Sequence, residues 1–142
     1  MTRTLNTPAI LGIALVLAAF TNLSHAEDKQ PPRNWQAGLH RTDLTRGDLD
    51  VADREVIQVR VDFDPGVASP KHAHPGVEVA HVLAGTFEYQ LDGRPTVTLM
   101  AGDSLLIPAG VAHVARNVGV TRGSELATYV VKKNVPLVVL EK

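Results

Sequence analysis

The sequence predicts an all-β domain, a sandwich or barrel of short strands, and three observations carry that prediction. Apolar and polar residues alternate with a period of two, most clearly in Glu55 to Phe63, where Val59, Val61 and Phe63 share one face and Gln58, Arg60 and Asp62 the other. Turn signals such as Asp64-Pro65-Gly66, Pro75-Gly76, Asp92-Gly93 and Pro108-Ala109-Gly110 recur about every six to ten residues. Beyond residue 26, no stretch shows a 3.6-residue apolar period with caps at its ends.

Arg3 is followed by an apolar run from Ala9 to Phe20 and by the more polar Thr21 to Ala26, which ends in Ser24-His25-Ala26. This is the pattern of a cleaved export signal. As a helix the apolar run reaches only ~18 Å, against a hydrocarbon core of ~30 Å, so it is too short for a membrane anchor. Cleavage after Ala26 gives a soluble, periplasmic or secreted chain that starts at Glu27 and loses His25, with no membrane partner. Residues 27–50 read as a lead-in: Glu27 to Arg33 is polar and holds Pro31-Pro32, Trp35 docks the start of the domain, and Leu39 to Leu49 is loop with at most a short strand. Residues 51–142 are the barrel. Strands are predicted at Glu55–Phe63, around His72 and His74, and at Val77–Leu83, Thr86–Leu91, Pro95–Met100, Ser104–Ile107, Ala112–Asn117, Glu125–Lys132 and Leu137–Leu140.

The chain has 142 residues, enough for one domain. Apolar residues are 44% and aromatics only 4%, so the core must be built from Val, Leu, Ala and Ile. Of 14 basic residues one, Arg3, precedes residue 27, and none of the 15 acids does, so the exported chain has a net charge of −2. That argues against a nucleic-acid partner. The absence of cysteine excludes a disulfide framework, a thiolate metal site and a cysteine nucleophile.

His72, His74 and Glu78 put three potential metal ligands within seven residues. Side chains two apart on an extended strand point to one face, so both imidazoles can meet one ion. Pro75-Gly76 then turns the chain, and a tight turn between two paired strands would bring Glu78 beside them. A second informative stretch runs from Gly102 to Asn117 and holds His113.

Together the two stretches closely resemble the cupin superfamily. Its first motif is a glycine, five residues, His-x-His, three or four residues, Glu, six residues and a glycine, met here by Gly66, His72, His74, Glu78 and Gly85. Its second is a glycine, five residues, Pro-x-Gly, two residues, His, three residues and Asn, met by Gly102, Pro108, Gly110, His113 and Asn117. The resemblance covers Gly66 to Asn117 and implies a single-domain jelly-roll β-barrel. It further implies that His72, His74, Glu78 and His113 line the barrel and hold one divalent metal, with Asn117 structural, and that the protein is a homodimer. Three neutral imidazoles and a carboxylate suit Fe, Mn, Ni, Cu or Zn, and are too nitrogen-rich for Ca or Mg. An octahedral ion would keep two positions open for chemistry, whereas a tetrahedral zinc would be closed.

Other polar residues receive blander readings. His81 falls on the face opposite Glu78 and reads as packed or interfacial, and His40 and Arg116 as surface residues. Gln58, Arg60 and Asp62 read as a solvated face or a pocket lining. Tyr89 and Tyr129 read as core residues with hydroxyls at a rim or as substrate contacts. The resemblance implies either a dioxygenase- or oxidase-like enzyme acting on a small oxygenated molecule, or a non-catalytic module that binds metal or a small ligand. A third reading gives the ion a purely structural role. No general base beyond the ligands is evident near the motifs, which favours oxygen chemistry, and residues to be named catalytic stay open.

Overall fold

The computed structural model describes residues 36–142. The expected export signal, its expected cleavage point and Trp35 lie outside the described residues. Ten strands follow one another, with no helix among the described residues: β1 (Leu39–Asp48), β2 (Arg54–Phe63), β3 (His72–Ala73), β4 (Gly76–Ala84), β5 (Thr86–Leu91), β6 (Val97–Met100), β7 (Ser104–Ile107), β8 (His113–Asn117), β9 (Gly123–Lys132) and β10 (Val139–Leu140). They form two five-stranded antiparallel sheets, ordered β1-β2-β9-β4-β7 and β10-β3-β8-β5-β6. The architecture is an all-β jelly roll.

Alternation decides what fills the interior. On β4, Glu78, Ala80 and Val82 are buried while Val79 and Leu83 are exposed. On β5 the buried residues are Phe87, Tyr89 and Leu91, and on β9 they include Glu125, Ala127, Tyr129 and Val131. One apolar cluster gathers around Phe63, Phe87 and Ile107, with the Phe63 and Phe87 rings edge to face at 5.1 Å. A second joins Ile57, Val59, Ala127, Tyr129 and Val131. Burial of each such side chain contributes roughly 1.5–3 kcal/mol before the entropy cost of ordering the chain.

Two local expectations are corrected. Leu39 to Asp48 is a ten-residue strand rather than a loop, paired with β2 from Leu39↔Phe63 to Asp48↔Glu55 through a bulge at Asp43/Thr45. It is an edge strand exposed along most of its length, so it needs no apolar alternation, and its polar sequence conceals the backbone pairing. The turn at Pro75-Gly76 does not join two paired strands either. β3 pairs with β8 and β10, whereas β4 pairs with β7 and β9, so the chain crosses from one sheet to the other there. A Cβ on Gly76 would lie 2.1 Å from the Val130 carbonyl oxygen, so only glycine lets the crossing chain pack against β9.

Candidate metal centre

His72 and His74 come from the short strand β3 and its exit, Glu78 from the facing sheet, and His113 from the start of β8, where His72 and His113 are register partners. The donor nitrogens of His72, His74 and His113 lie within 4.8 Å of one another. Each Nδ1 meets a backbone carbonyl: His72 that of Pro70 at 2.8 Å, His74 that of Leu137 at 2.6 Å and His113 that of Val111 at 3.0 Å. A carbonyl only accepts, so each Nδ1 donates, and a neutral ring must then present a lone pair at Nε2. Three rings are thereby fixed in the tautomer and orientation that ligate a metal.

Glu78 is 3% exposed, and its Oε2 lies 3.0 Å from His74 Nε2 and 3.3 Å from His113 Nε2. Among the described residues neither His74 Nε2 nor Glu78 Oε2 has an aligned hydrogen-bond partner. Two buried electron-rich atoms at that separation need a cation or a proton between them, and the donor set fits a transition metal. Without an ion, burial pushes the Glu78 carboxyl up, but protonated His113 and His74, 3.3 and 3.0 Å away, outweigh it and hold its pKa at about 2; a bound cation would stand where those Nε2 protons do, facing the same ionised carboxylate. Burial, aided by the His113 charge, lowers His72 to about 4 and keeps it neutral.

The cluster opens on a cavity of about 280 Å³ lined by His72, His74, Arg41, Val61, Glu125 and Tyr129, among others. The Tyr129 ring packs on His74 with centroids 4.7 Å apart. A larger cavity of about 370 Å³, lined by Arg46, Glu55 and Leu137, holds none of the histidines. Of the two tyrosines, Tyr129 lines the cavity, whereas Tyr89 is buried and donates its hydroxyl to Glu125 Oε2. Sequence reasoning gave Glu125 and Arg41 no role. The signal for Glu125 was its place on the inward face of β9 with Ala127, Tyr129 and Val131, a carboxyl in an apolar row.

The remaining polar residues fall elsewhere. His81 bonds Ser104 Oγ at 2.8 Å on the outer face, and His40 pairs with Asp64 at 3.2 Å. Arg60 bonds Asp62 and Ser124 rather than lining the cavity, and Arg116 is exposed. Asn117 is fully buried; its amide donates to the Phe63 and Thr121 carbonyls and its oxygen accepts from the Gly119 amide, a structural role.

The cupin domain pattern matches residues 59–129, half of the chain. Oxalate oxidase 2 of Hordeum vulgare is 33% identical over 78 residues, 49% of this chain and 35% of its own length. Dimethylsulfoniopropionate lyase DddQ of Ruegeria pomeroyi is 37% identical over 51 residues, 36% of this chain and 25% of its own. The chain thus spans about a third or less of these relatives. Among solved structures, the Ruegeria pomeroyi lyase superposes with a TM-score of 0.64 at 23% identity, covering 78% of this chain and 55% of its own, a likeness of fold. A recombinant oxalate oxidase in complex with glycolate gives 0.58 at 28% identity, covering 72% and 55%.

Proposed function

The chain belongs to the cupin family, and on that premise we propose that it binds one divalent transition metal and is a metal-dependent enzyme, dioxygenase- or oxidase-like, acting on a small oxygenated molecule. The ligands are His72, His74, His113 and Glu78. Three imidazoles locked through Nδ1 around one point, at the wall of a small cavity, carry this reading. Relatives named as an oxalate oxidase and a dimethylsulfoniopropionate lyase support an enzyme rather than a storage module. A bound ion of this class would supply Lewis acidity or a redox partner for dioxygen.

The chain's own residues do the rest. The histidines and Glu78 fix the ion's position, and Arg41, which also pairs with Asp43 at 2.9 Å, brings a cationic group to the cavity for an anionic substrate. The protein is exported, with cleavage after Ala26, and it dimerises. Exposed Val79, Leu106 and Val130 on the outer sheet face, and Val135 and Val139 near the β10 edge, supply apolar surface for the partner copy.

Elemental analysis of the purified protein beside His74→Ala tests the site. About one equivalent of metal, lost in the variant, is expected, followed by oxygen uptake with one or more small oxygenated acids. Zinc alone without oxygen uptake would favour a binding module; no metal after reconstitution would overturn the reading.

A further inference from the structure

Glu125 is 5% exposed and sits on the inward face of β9 at the wall of the cavity that His72 and His74 also line. A carboxyl buried without a counter-charge is costly and needs an explanation. Among the described residues no lysine, arginine or histidine forms an ion pair with it; its hydrogen-bond partner is the Tyr89 hydroxyl, on Oε2. Tyr89 is itself 1% exposed, from β5 in the opposite sheet, so it holds one carboxyl oxygen and leaves Oε1 unclaimed among the described residues. This is the arrangement of a proton-transfer carboxyl: fixed by one neutral donor, shielded from bulk water, and facing a cavity with a ligand cluster on another wall.

We propose that Glu125 is the acid–base residue of this site, moving a proton to or from a carbon of the substrate in the cavity, with Tyr89 as its positioning residue. The inference rests on the enzyme reading above and adds carbon-acid chemistry to it. Its titration fits the task. Burial, and in the metal-free chain the negative charge of Glu78, push its carboxyl up against the opposing Tyr89 hydrogen bond, so it holds a proton more readily than an exposed carboxyl does. The other groups around it are Tyr129 on β9, Arg41 on β1 and His72 and His74 at β3.

On a 2-oxo acid such as pyruvate the step is an enolisation. Ionised Glu125 takes a proton from C3; the C–H bond breaks and an O–H bond forms on the carboxyl. The released electron pair becomes the C2–C3 π bond, and the carbonyl pair moves onto the C2 oxygen. Reversal returns a proton, or a deuteron from solvent, to C3, and nothing is oxidised or reduced.

The test incubates the metal-loaded full chain with pyruvate in D2O and follows the methyl signal by proton NMR. The wild type is expected to exchange deuterium into C3 faster than the same metal in buffer. Glu125→Gln should lower the rate ~100-fold or more, the usual size of an acid–base contribution, with metal content and pyruvate Kd unchanged. Glu125→Asp should restore part of the rate. An unchanged rate in Glu125→Gln overturns the proposal, as does a loss that comes together with lost metal and pyruvate affinity, which marks a structural role. If Glu125→Gln does not fold, Tyr89→Phe serves: a drop of about tenfold with metal retained supports the pair, and an unchanged rate overturns it. A wild type that holds metal but exchanges nothing overturns the acid–base role and leaves the metal reading standing. A wild type without metal removes both.

Discussion

The lone pairs at the centre are set by atoms outside it. Three backbone carbonyls, of Pro70, Leu137 and Val111, each accept a hydrogen bond from one histidine's Nδ1–H, which leaves Nε2 of a neutral ring as the candidate ligating nitrogen. Charge follows from the surroundings: burial lowers His72 to about 4 and raises Glu125 to about 8, while His113 and His74 hold Glu78 at about 2 against burial. In metal-free protein these shifts act on stability with different signs. His72, depressed from 6.5, stabilises above its unfolded pKa, and that contribution is lost as pH falls toward 4 because only the unfolded chain takes the proton. The wild type should lose on the order of 3 kcal/mol relative to His72→Gln across that range, read by denaturant titration at each pH. Glu125 acts oppositely. Its folded pKa is raised from 4.5, so its contribution is complete below 4.5 and fades as pH rises toward 8. Relative to Glu125→Gln, the wild type should weaken across that window; a constant difference would contradict the raised pKa.

At the scale of elements, the site depends on a chain that changes sheets between β3 and β4. Gly76 permits it, since an added Cβ would meet the Val130 oxygen at 2.1 Å and the Val131 Cα at 2.6 Å, both backbone atoms of β9 that cannot swing aside. Gly76→Ala should destabilise by about 3 kcal/mol or more, at or above the top of the usual overpacking range, and should weaken metal binding because Glu78 rides on the same strand. Gly47→Ala, at a position with open space, is the control and should leave metal binding unchanged. Calorimetric titration with Mn(II) or Ni(II) separates the two. Gly85 closes the far end of β4 with φ of 87° and its would-be Cβ 2.9 Å from Gly123 Cα, so the strand that carries Glu78 is pinned by glycine at both ends.

For the whole molecule, an ion bound across two sheets adds to folding stability. The proposed ligands come from β3 and its exit, β4 and β8, so unfolding would disperse them. Metal at a hundred times its Kd should stabilise the protein by about 2.7 kcal/mol, a rise in Tm of about ten degrees or more for a domain of this size. A chelator should reverse it, and His113→Ala should show no rise. The proposed dimer predicts a mass twice that of the exported chain in light scattering, reduced to one chain by Leu106→Glu.

His72 and His74 were legible as candidate ligands because strand alternation puts side chains two apart on one face, whereas His113 joined Glu78 and that pair through the resemblance of Gly66 to Asn117 to the cupin motifs. So were β5 and β7, bounded by turns and predicted with the ends they have. β1 was not, because an exposed edge strand leaves no apolar period to read. Nor was the pairing of Tyr89 with Glu125, which are 36 residues apart on opposite sheets. The sequence by itself determined the all-β class and the candidate ligand set, since alternation, turn residues and motif spacing are all written along the chain. Only the tertiary structure decided that the chain crosses sheets at Gly76 and that a buried carboxyl from β9 joins the cavity, because those arise where distant strands face one another across the barrel.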